Sequence, residues 1–121
     1  MSWLQTPSLF LLQRFLDVDT MRQTLVSTNI ANIDTPGYHA RDVDFRGEMQ
    51  RAMNGGTEED GMSPIVRPVQ GLLARPDGNN VNVDREALLL AEVQLQFKAA
   101  TAILRAELAE IHTAIHEGAS S

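Results

Sequence analysis

Apolar side chains recur at helical spacing in two long segments of this chain, one near each end. The first segment runs from about Thr6 to Asp34, and its apolar residues are three or four positions apart, the period of a helix with one buried face. Thr6 is the predicted N-cap, and Pro7 suits the first helical position because its fixed φ is helical. The predicted packing stripe consists of Leu11, Phe15, Val18, Met21 and Leu25. The pattern therefore predicts a long N-terminal helix.

The second segment runs from about Asn82 to Glu117 and is more regular. Asn82 or Asp84 can cap its start, and Gly118 is its predicted stop. The predicted packing stripe consists of Leu90, Val93, Phe97, Ala100, Leu104, Leu108, Ile111 and Ile115. A second apolar row beside it consists of Leu88, Ala91, Leu95, Ala99 and Ala102. Spacings of three and four sustained over several heptads are typical of a coiled coil.

Glycine and proline concentrate in the centre of the chain, between residues 37 and 81. This composition favours loops over long helices or strands. Two short apolar patches, Ile65-Val66 and Val69 with Leu72-Leu73, are candidates for a weak β-hairpin. A lone hairpin is marginal in water, so this one would need a surface to dock on.

Charged and apolar residues alternate from Arg41 to Arg46, which predicts an extended strand with one wet and one dry face. Asp42 and Asp44 form a pair of carboxylates, and such pairs can do acid–base chemistry. A solvated or salt-bridged surface is the favoured interpretation, because exposed charges are commonplace.

These segments predict a mainly α fold in which two long terminal helices pair as an antiparallel, coiled-coil-like hairpin around a loop-rich centre. The predicted division is an N-terminal helical segment (1–36), a central segment (37–81) and a C-terminal helical segment (82–121). A two-helix hairpin buries one face of each helix, yet the C-terminal helix is apolar on two adjacent faces. Large exposed apolar patches mark interaction sites, so the excess predicts assembly with other subunits.

The composition of the chain limits the classes of partner that it is expected to bind. The 121 residues carry a formal net charge of −6 and a sequence pI near 4.9, which argues against nucleic acid or an anionic membrane as partner. Aromatic residues make up only 5%, so the core is expected to be aliphatic and thin. No segment approaches the ~20 apolar residues that a spanning helix needs. The N-terminus lacks a basic region and a cleavage site, so no cleaved signal peptide is expected.

Candidate chemistry is sparse. His112 and His116 are four residues apart on the predicted C-terminal helix, as two zinc ligands would be, but the sequence identifies no third ligand. Two histidines near a helix C-terminus also suit the helix dipole without a metal. Neither Ser27 nor Ser63 lies in a nucleophile elbow, and no glycine-rich loop has P-loop spacing. The sequence predicts no catalytic residue, no metal site, no cofactor and no small-molecule substrate.

The stretch from Asn29 to Tyr38 is the most specific motif. Asn29 and Asn32 are three residues apart and share a helix face. Thr35-Pro36-Gly37 then stops the helix, and Gly37 suits the position of a type II turn that requires positive φ. The predicted assembly motif consists of Asn29, Ala31, Asn32, Thr35, Pro36, Gly37 and Tyr38.

The run from Leu25 to Tyr38 resembles the N-terminal signature of the rod and hook proteins of the bacterial flagellum. The continuation His39–Phe45, the stretch Asp77–Val81 and the helix from Glu86 to Ile115 are similar to the same family. The resemblance covers nearly the whole chain in extent, but the stretch from Gly47 to Pro76 resembles nothing specific. Two departures are an apolar Val93 where a polar residue is commoner and Phe97 in place of a commoner tyrosine.

The resemblance implies a structural subunit of the proximal rod of the flagellar basal body, exported without a cleaved signal peptide and assembled across the periplasm. Its terminal helices would form the inner tube of an axial structure that transmits torque. The implied partners are copies of itself, other flagellar rod proteins, the rod–MS-ring adaptor protein, the MS ring and the flagellar export apparatus. Such chains tend to be disordered before assembly, which agrees with the excess apolar surface.

Two other hypotheses belong to different classes. One is a soluble helical adaptor or export chaperone that binds partner helices. The other is a metal-dependent enzyme that uses His112 and His116.

Overall fold

The computed structural model describes residues 7–55 and 63–120 and confirms a mainly α fold with a short two-stranded sheet in the central segment. In chain order the elements are α1 (Pro7–Ala31), β1 (Arg41–Val43), α2 (Phe45–Met53), β2 (Val66–Pro68) and α3 (Val83–Ser120).

The two terminal helices run antiparallel. Asn29 near the end of α1 bonds to Glu86 near the start of α3, and Arg22 further back on α1 lies 3.9 Å from Glu92 further along α3. Helix α1 has 25 residues and α3 has 38. At the helical rise per residue, α3 is therefore about 20 Å longer than α1. Because the end of α1 lies beside the start of α3, the surplus falls at the C-terminal end of α3.

The core is small and aliphatic, as expected. Its buried cluster consists of Val18 and Leu25 from α1 and Val43 from β1. Met21, Phe45 and Val66 pack against this cluster and are themselves partly buried. The central segment therefore completes the core that α1 begins.

The predicted hairpin partners are wrong. Val66 pairs with Val43 in an antiparallel ladder, and not with the apolar patch that follows it in the sequence. Val43 lies in the core cluster, so pairing there docks the strand on an apolar surface, which a lone hairpin lacks. Leu73 has no such surface and is 94% exposed.

Helix α2 was not predicted, because the central composition favoured loops. Asp44 is its N-cap and accepts a hydrogen bond from the Gly47 N–H at 3.1 Å, so this carboxylate begins a helix and does not extend the strand. The ring of Phe45 meets that of Phe15 edge to face at 4.9 Å. A nine-residue helix is marginal alone, so docking on α1 stabilises it.

Glu48 fixes α2 in place. This buried carboxylate accepts hydrogen bonds from Arg14 on α1 at 3.0 Å, from the Ile65 N–H at 2.9 Å and from Arg51 at 2.6 Å. Burial would raise the pKa of Glu48, but these bonds outweigh burial and hold the pKa below its usual value.

Three predicted helix ends fall within the described residues, and the structure confirms one of them. Asn82 caps α3 by accepting from the Arg85 N–H at 3.0 Å, as predicted. Helix α1 ends at Ala31, three residues before the predicted Asp34. Helix α3 continues through Gly118 to Ser120, so the predicted stop is wrong; a glycine inside a helix costs only about 1 kcal/mol. The predicted cap Thr6 lies outside the described residues.

In the described ranges, α3 is the one helix that is long and apolar enough to cross a membrane by length and composition alone. The expectation that no segment approaches this threshold is therefore corrected. Few of its apolar side chains are covered within the chain, and Glu92 and Lys98 interrupt them. An apolar helix of this kind also fits a helix that packs against other helices.

Glu48→Gln tests the docking of α2. The change keeps the side-chain shape but removes the charge that two arginines face. The closed form, in which the helices pack together as in the structure, should therefore lose about 1–2 kcal/mol relative to the open chain, in which they are separated. The measurement is a urea titration of the helical circular dichroism signal. Glu110→Gln, at an exposed position of α3, is the matched control and should leave the midpoint unchanged. Equal midpoints for both variants would contradict the role given to Glu48.

Candidate functional site

The predicted assembly motif forms the end of α1 and the turn that follows it. Tyr38 N–H donates to the Thr35 carbonyl at 3.2 Å and closes the turn, and Gly37 has φ 74°, which confirms the predicted positive φ. The Gly37 N–H donates to the Asp77 carbonyl at 2.8 Å. A Cβ on Gly78 would lie 3.3 Å from the Gly37 Cα, so two glycines let these turns touch.

Asn29 uses every hydrogen-bonding position of its amide. Its Nδ2 donates to the Arg41 carbonyl at 2.9 Å and to Glu86 Oε1 at 3.1 Å. Its Oδ1 accepts from the Tyr38 hydroxyl at 2.9 Å and the Arg41 N–H at 3.1 Å. With two donors and two acceptor lone pairs satisfied, a side chain that is 1% exposed joins α1 to β1 and α3.

Asn32 behaves differently although it shares a predicted face with Asn29. Its Nδ2 donates to the Thr28 carbonyl at 2.8 Å, one turn back on α1. Its Oδ1 accepts from the Thr35 hydroxyl at 3.1 Å. Both bonds are local, so Asn32 shapes the end of the helix and does not join elements. Ala31 and Pro36 are exposed beside it.

Asn79 holds the turn that follows α1 from outside. Its Nδ2 donates to the carbonyls of Asn32 and Thr35, each at 2.9 Å, and its Oδ1 accepts from the Val81 N–H at 2.8 Å. Both carbonyls belong to the turn that follows α1 and also accept backbone N–H groups within that turn, so Asn79 braces the turn. Asn79 is fully buried.

Asn80, the next residue, ties the two loops together. Its Oδ1 accepts from the Ala40 N–H at 2.7 Å, and its own N–H donates to the Tyr38 carbonyl at 3.2 Å. The three buried asparagines Asn29, Asn79 and Asn80, here called the asparagine cluster, thus hold the motif against β1 and the segment before α3.

Charged groups extend the asparagine cluster. Asp42 on β1 accepts from Arg22 on α1 through both of its oxygens, at 3.1 and 3.3 Å, and from Arg85 on α3 at 3.0 Å. Glu86 is fully buried, and its Oε1 also accepts from Arg85 at 2.9 Å. Burial raises the pKa of Glu86, and the bonds from Asn29 and Arg85 oppose that rise. The pair Asp42 and Asp44 is therefore divided between a salt bridge and a helix cap.

The predicted packing stripes are covered unevenly. The buried members are Val18, Leu25, Val93 and Ala100. The half-buried members are Leu11, Phe15, Met21, Leu90, Leu104 and Ile111. The exposed members are Phe97, Leu108 and Ile115. All five residues of the second row, from Leu88 to Ala102, are exposed.

Sequence reasoning missed Asn79, Asn80 and Glu86 as site residues. Asp77-Gly78 is a turn signal, and two asparagines that follow it directly are candidates for loop hydrogen bonds. No local sequence signal identifies Glu86 as a site residue, because a side chain in the first turn of a helix is commonly exposed to water. Glu86 is buried because α3 packs against α1.

His112 and His116 have ring centroids 6.3 Å apart, and both side chains are exposed. Within the described ranges, no group of three or more histidine, cysteine or carboxylate side chains is placed to hold a metal ion. The third ligand that the enzyme hypothesis needs is not found among them.

Replacing the two motif asparagines separately should give unequal effects. Asn29→Ala leaves Tyr38, the Arg41 backbone and Glu86 with unmade bonds, so the closed form should lose about 3 kcal/mol. Asn32→Ala removes only local bonds and should cost about 1 kcal/mol. The urea midpoint of the helical signal measures both. An Asn32→Ala midpoint as low as the Asn29→Ala midpoint would contradict this ranking.

Gly37→Val tests the turn. No atom lies within 4 Å of a Cβ at this position, so the cost is one of backbone conformation, and a β-branched residue at positive φ should cost about 1–3 kcal/mol. Gly118→Ala is the control, because that glycine is helical with open space around it, and it should not destabilise the chain. The same titration measures both variants.

Curated proteins resemble this chain in sequence over most of its length. No family model matches the chain. The chain is 34% identical to the flagellar basal body rod protein FlgB of Salmonella typhimurium, over 79% of this chain and 83% of that protein. It is 33% identical to that of Yersinia ruckeri and 30% identical to that of Escherichia coli, each over 88% of this chain and 91% of the relative. At this identity and coverage, the chain belongs to the family of the flagellar basal body rod protein FlgB.

Proposed function

We propose that this chain is a structural subunit of the proximal rod of the bacterial flagellar basal body. It assembles through its terminal helices into a tubular axial structure that transmits torque. Membership of a family named for the basal-body rod supports this role. The observation that carries the assembly step is the uncovered apolar surface of α3.

This surface is a row and not a scatter of single residues. Leu88 and Leu95 are two helical turns apart and are 70% and 71% exposed. Ala91, Ala99 and Ala102 lie along the same row and are exposed as well. Burying a leucine side chain gains about 1.5–3 kcal/mol, so covering the row in an assembly would stabilise it substantially. The alanines between the leucines let a second helix approach closely.

The surplus length of α3 adds to this surface. Ile115 lies beyond the part of α3 that α1 accompanies, and it is 56% exposed. A partner helix that packs there would continue the predicted stripe past the end of α1. Copies of this chain and other flagellar rod proteins are the partners proposed for this surface.

The remaining partners follow from the position of the proximal rod. They are the rod–MS-ring adaptor protein and the MS ring at its base, and the flagellar export apparatus that delivers the chain without a cleaved signal peptide. The chain acts as a building element and not as an enzyme, in keeping with relatives that are named as rod proteins.

Incorporation into basal bodies tests this function. A normally motile bacterium whose own copy of the gene has been deleted is complemented with the wild type, with Leu95→Glu or with Gln94→Glu. Both variants add one negative charge at neighbouring exposed positions of α3, but only the first lies in the apolar row. The wild type and Gln94→Glu should appear in purified basal bodies and restore swimming, whereas Leu95→Glu should do neither. Basal bodies that form normally without the chain would refute the proposal.

The adaptor or chaperone hypothesis predicts a different behaviour in solution. A stable adaptor should melt cooperatively as a monomer or dimer and have the same helicity free and bound, whereas a rod subunit with an uncovered α3 should be only partly helical alone, through the α1–α3 pair, and gain helix along the rest of α3 on assembly. Circular dichroism of the purified chain beside that of reconstituted particles separates the two. Equal helicity in both states would favour the adaptor.

A further inference from the structure

Asp19 is a carboxylate sealed inside the contact between α1 and α3. Its side chain is 0% exposed, and within the described part of the chain neither of its oxygens has a hydrogen-bond partner. A buried ionised carboxylate without partners is strongly unfavourable, because it loses its hydration and gains nothing in return. The assembly role proposed above makes no use of this residue.

The charges around Asp19 do not compensate it. Arg22, one turn along α1, is a cation whose charge acts on Asp19, but its guanidinium is bonded to Asp42 of β1. From α3, Glu92 acts on Asp19 with the same sign of charge. From α2, Glu48 faces α1 and is already held by Arg14 and Arg51.

Gln96 supplies an unused acceptor at the same level of the helix pair. The contacts of Asn29 with Glu86 and of Arg22 with Glu92 set an antiparallel register, which places Gln96 opposite Asp19. Gln96 Oε1 is buried and has no partner among the described residues, while its Nε2 donates to Glu92 at 3.4 Å. The unpartnered oxygens of Asp19 and Gln96 thus lie at one level of the helix pair, and an oxygen that carries no proton cannot donate to another.

A proton removes this conflict. A protonated Asp19 carries no charge, and its O–H is a donor for an acceptor such as Gln96 Oε1. Burial raises the pKa of Asp19 to about 6, Arg22 opposes the rise, and Glu92 adds to it.

We propose that the α1–α3 pair is linked to protonation, so that the closed pair holds one proton on Asp19 and releases it when the helices separate. The sign follows from linkage. Because the closed form binds this proton more tightly than the open chain, the closed form is favoured at low pH and loses that advantage as pH rises through about 6. From pH 4.5 to 8 the closed-to-open ratio should fall about thirtyfold through this group alone.

Asp19→Asn against Asp17→Asn tests the proposal on the full chain. Both variants make the same chemical change on α1 two residues apart, but Asp17 is exposed. Urea titrations of the helical signal run from pH 4.5 to 8 at constant ionic strength. The fall of about thirtyfold in the closed-to-open ratio that Asp19 causes between pH 4.5 and 8 should be absent in Asp19→Asn. The same variant should have a higher closed-to-open ratio than the wild type at pH 8. Asp17→Asn should retain the wild-type profile.

An Asp19→Asn profile that matches the wild type overturns the proposal, and so does a loss of pH dependence in both variants. If Asp19→Asn fails to fold, the carboxyl ¹³C resonance of Asp19 in the wild-type chain decides. Its titration near pH 6 supports a proton held in the closed pair, and titration near pH 4 refutes it. These results are independent of incorporation into basal bodies, so failure of the rod proposal and failure of this one are distinguishable.

Discussion

The structure depends on one buried amide. Asn29 meets the backbone of β1, the hydroxyl of Tyr38 and the carboxylate of Glu86, and every one of its hydrogen-bonding positions is used. An amide with all four positions satisfied fixes angle as well as distance, which apolar packing of aliphatic side chains does only loosely. The register of α1 against α3, the place of β1 and the exit of the turn all follow from this contact.

Polar contacts take this role because the apolar core is small. Three buried residues from two elements form its centre, whereas carboxylates, amides and arginines tie α1 to β1, α2 and α3. Buried polar groups add specificity and cost desolvation, so a fold built this way is well defined in geometry and modest in stability. Such a balance would suit the proposed subunit, whose remaining apolar surface neighbours would complete.

The long helices and the turn could be predicted because their signals are local. Apolar periodicity identified α1 and α3, and Pro36-Gly37 identified the turn, since each depends on residues close in sequence. Helix α2 and the Val43–Val66 pairing could not be predicted from the sequence, because both depend on docking against α1. The partners of Asn29 and the burial of Glu86 and Asp19 were likewise hidden, since they exist only when distant segments meet.

The unequal lengths of α1 and α3 also have a mechanical consequence. Because the surplus of α3 lies at one end only, copies that stack in line through that end would join side by side over a shared length and not tip to tip. In a joint of that kind, an axial or twisting load is spread as shear over many small side-chain contacts. A break then requires a whole row of contacts to slip together, whereas an end-to-end contact would fail at a single point.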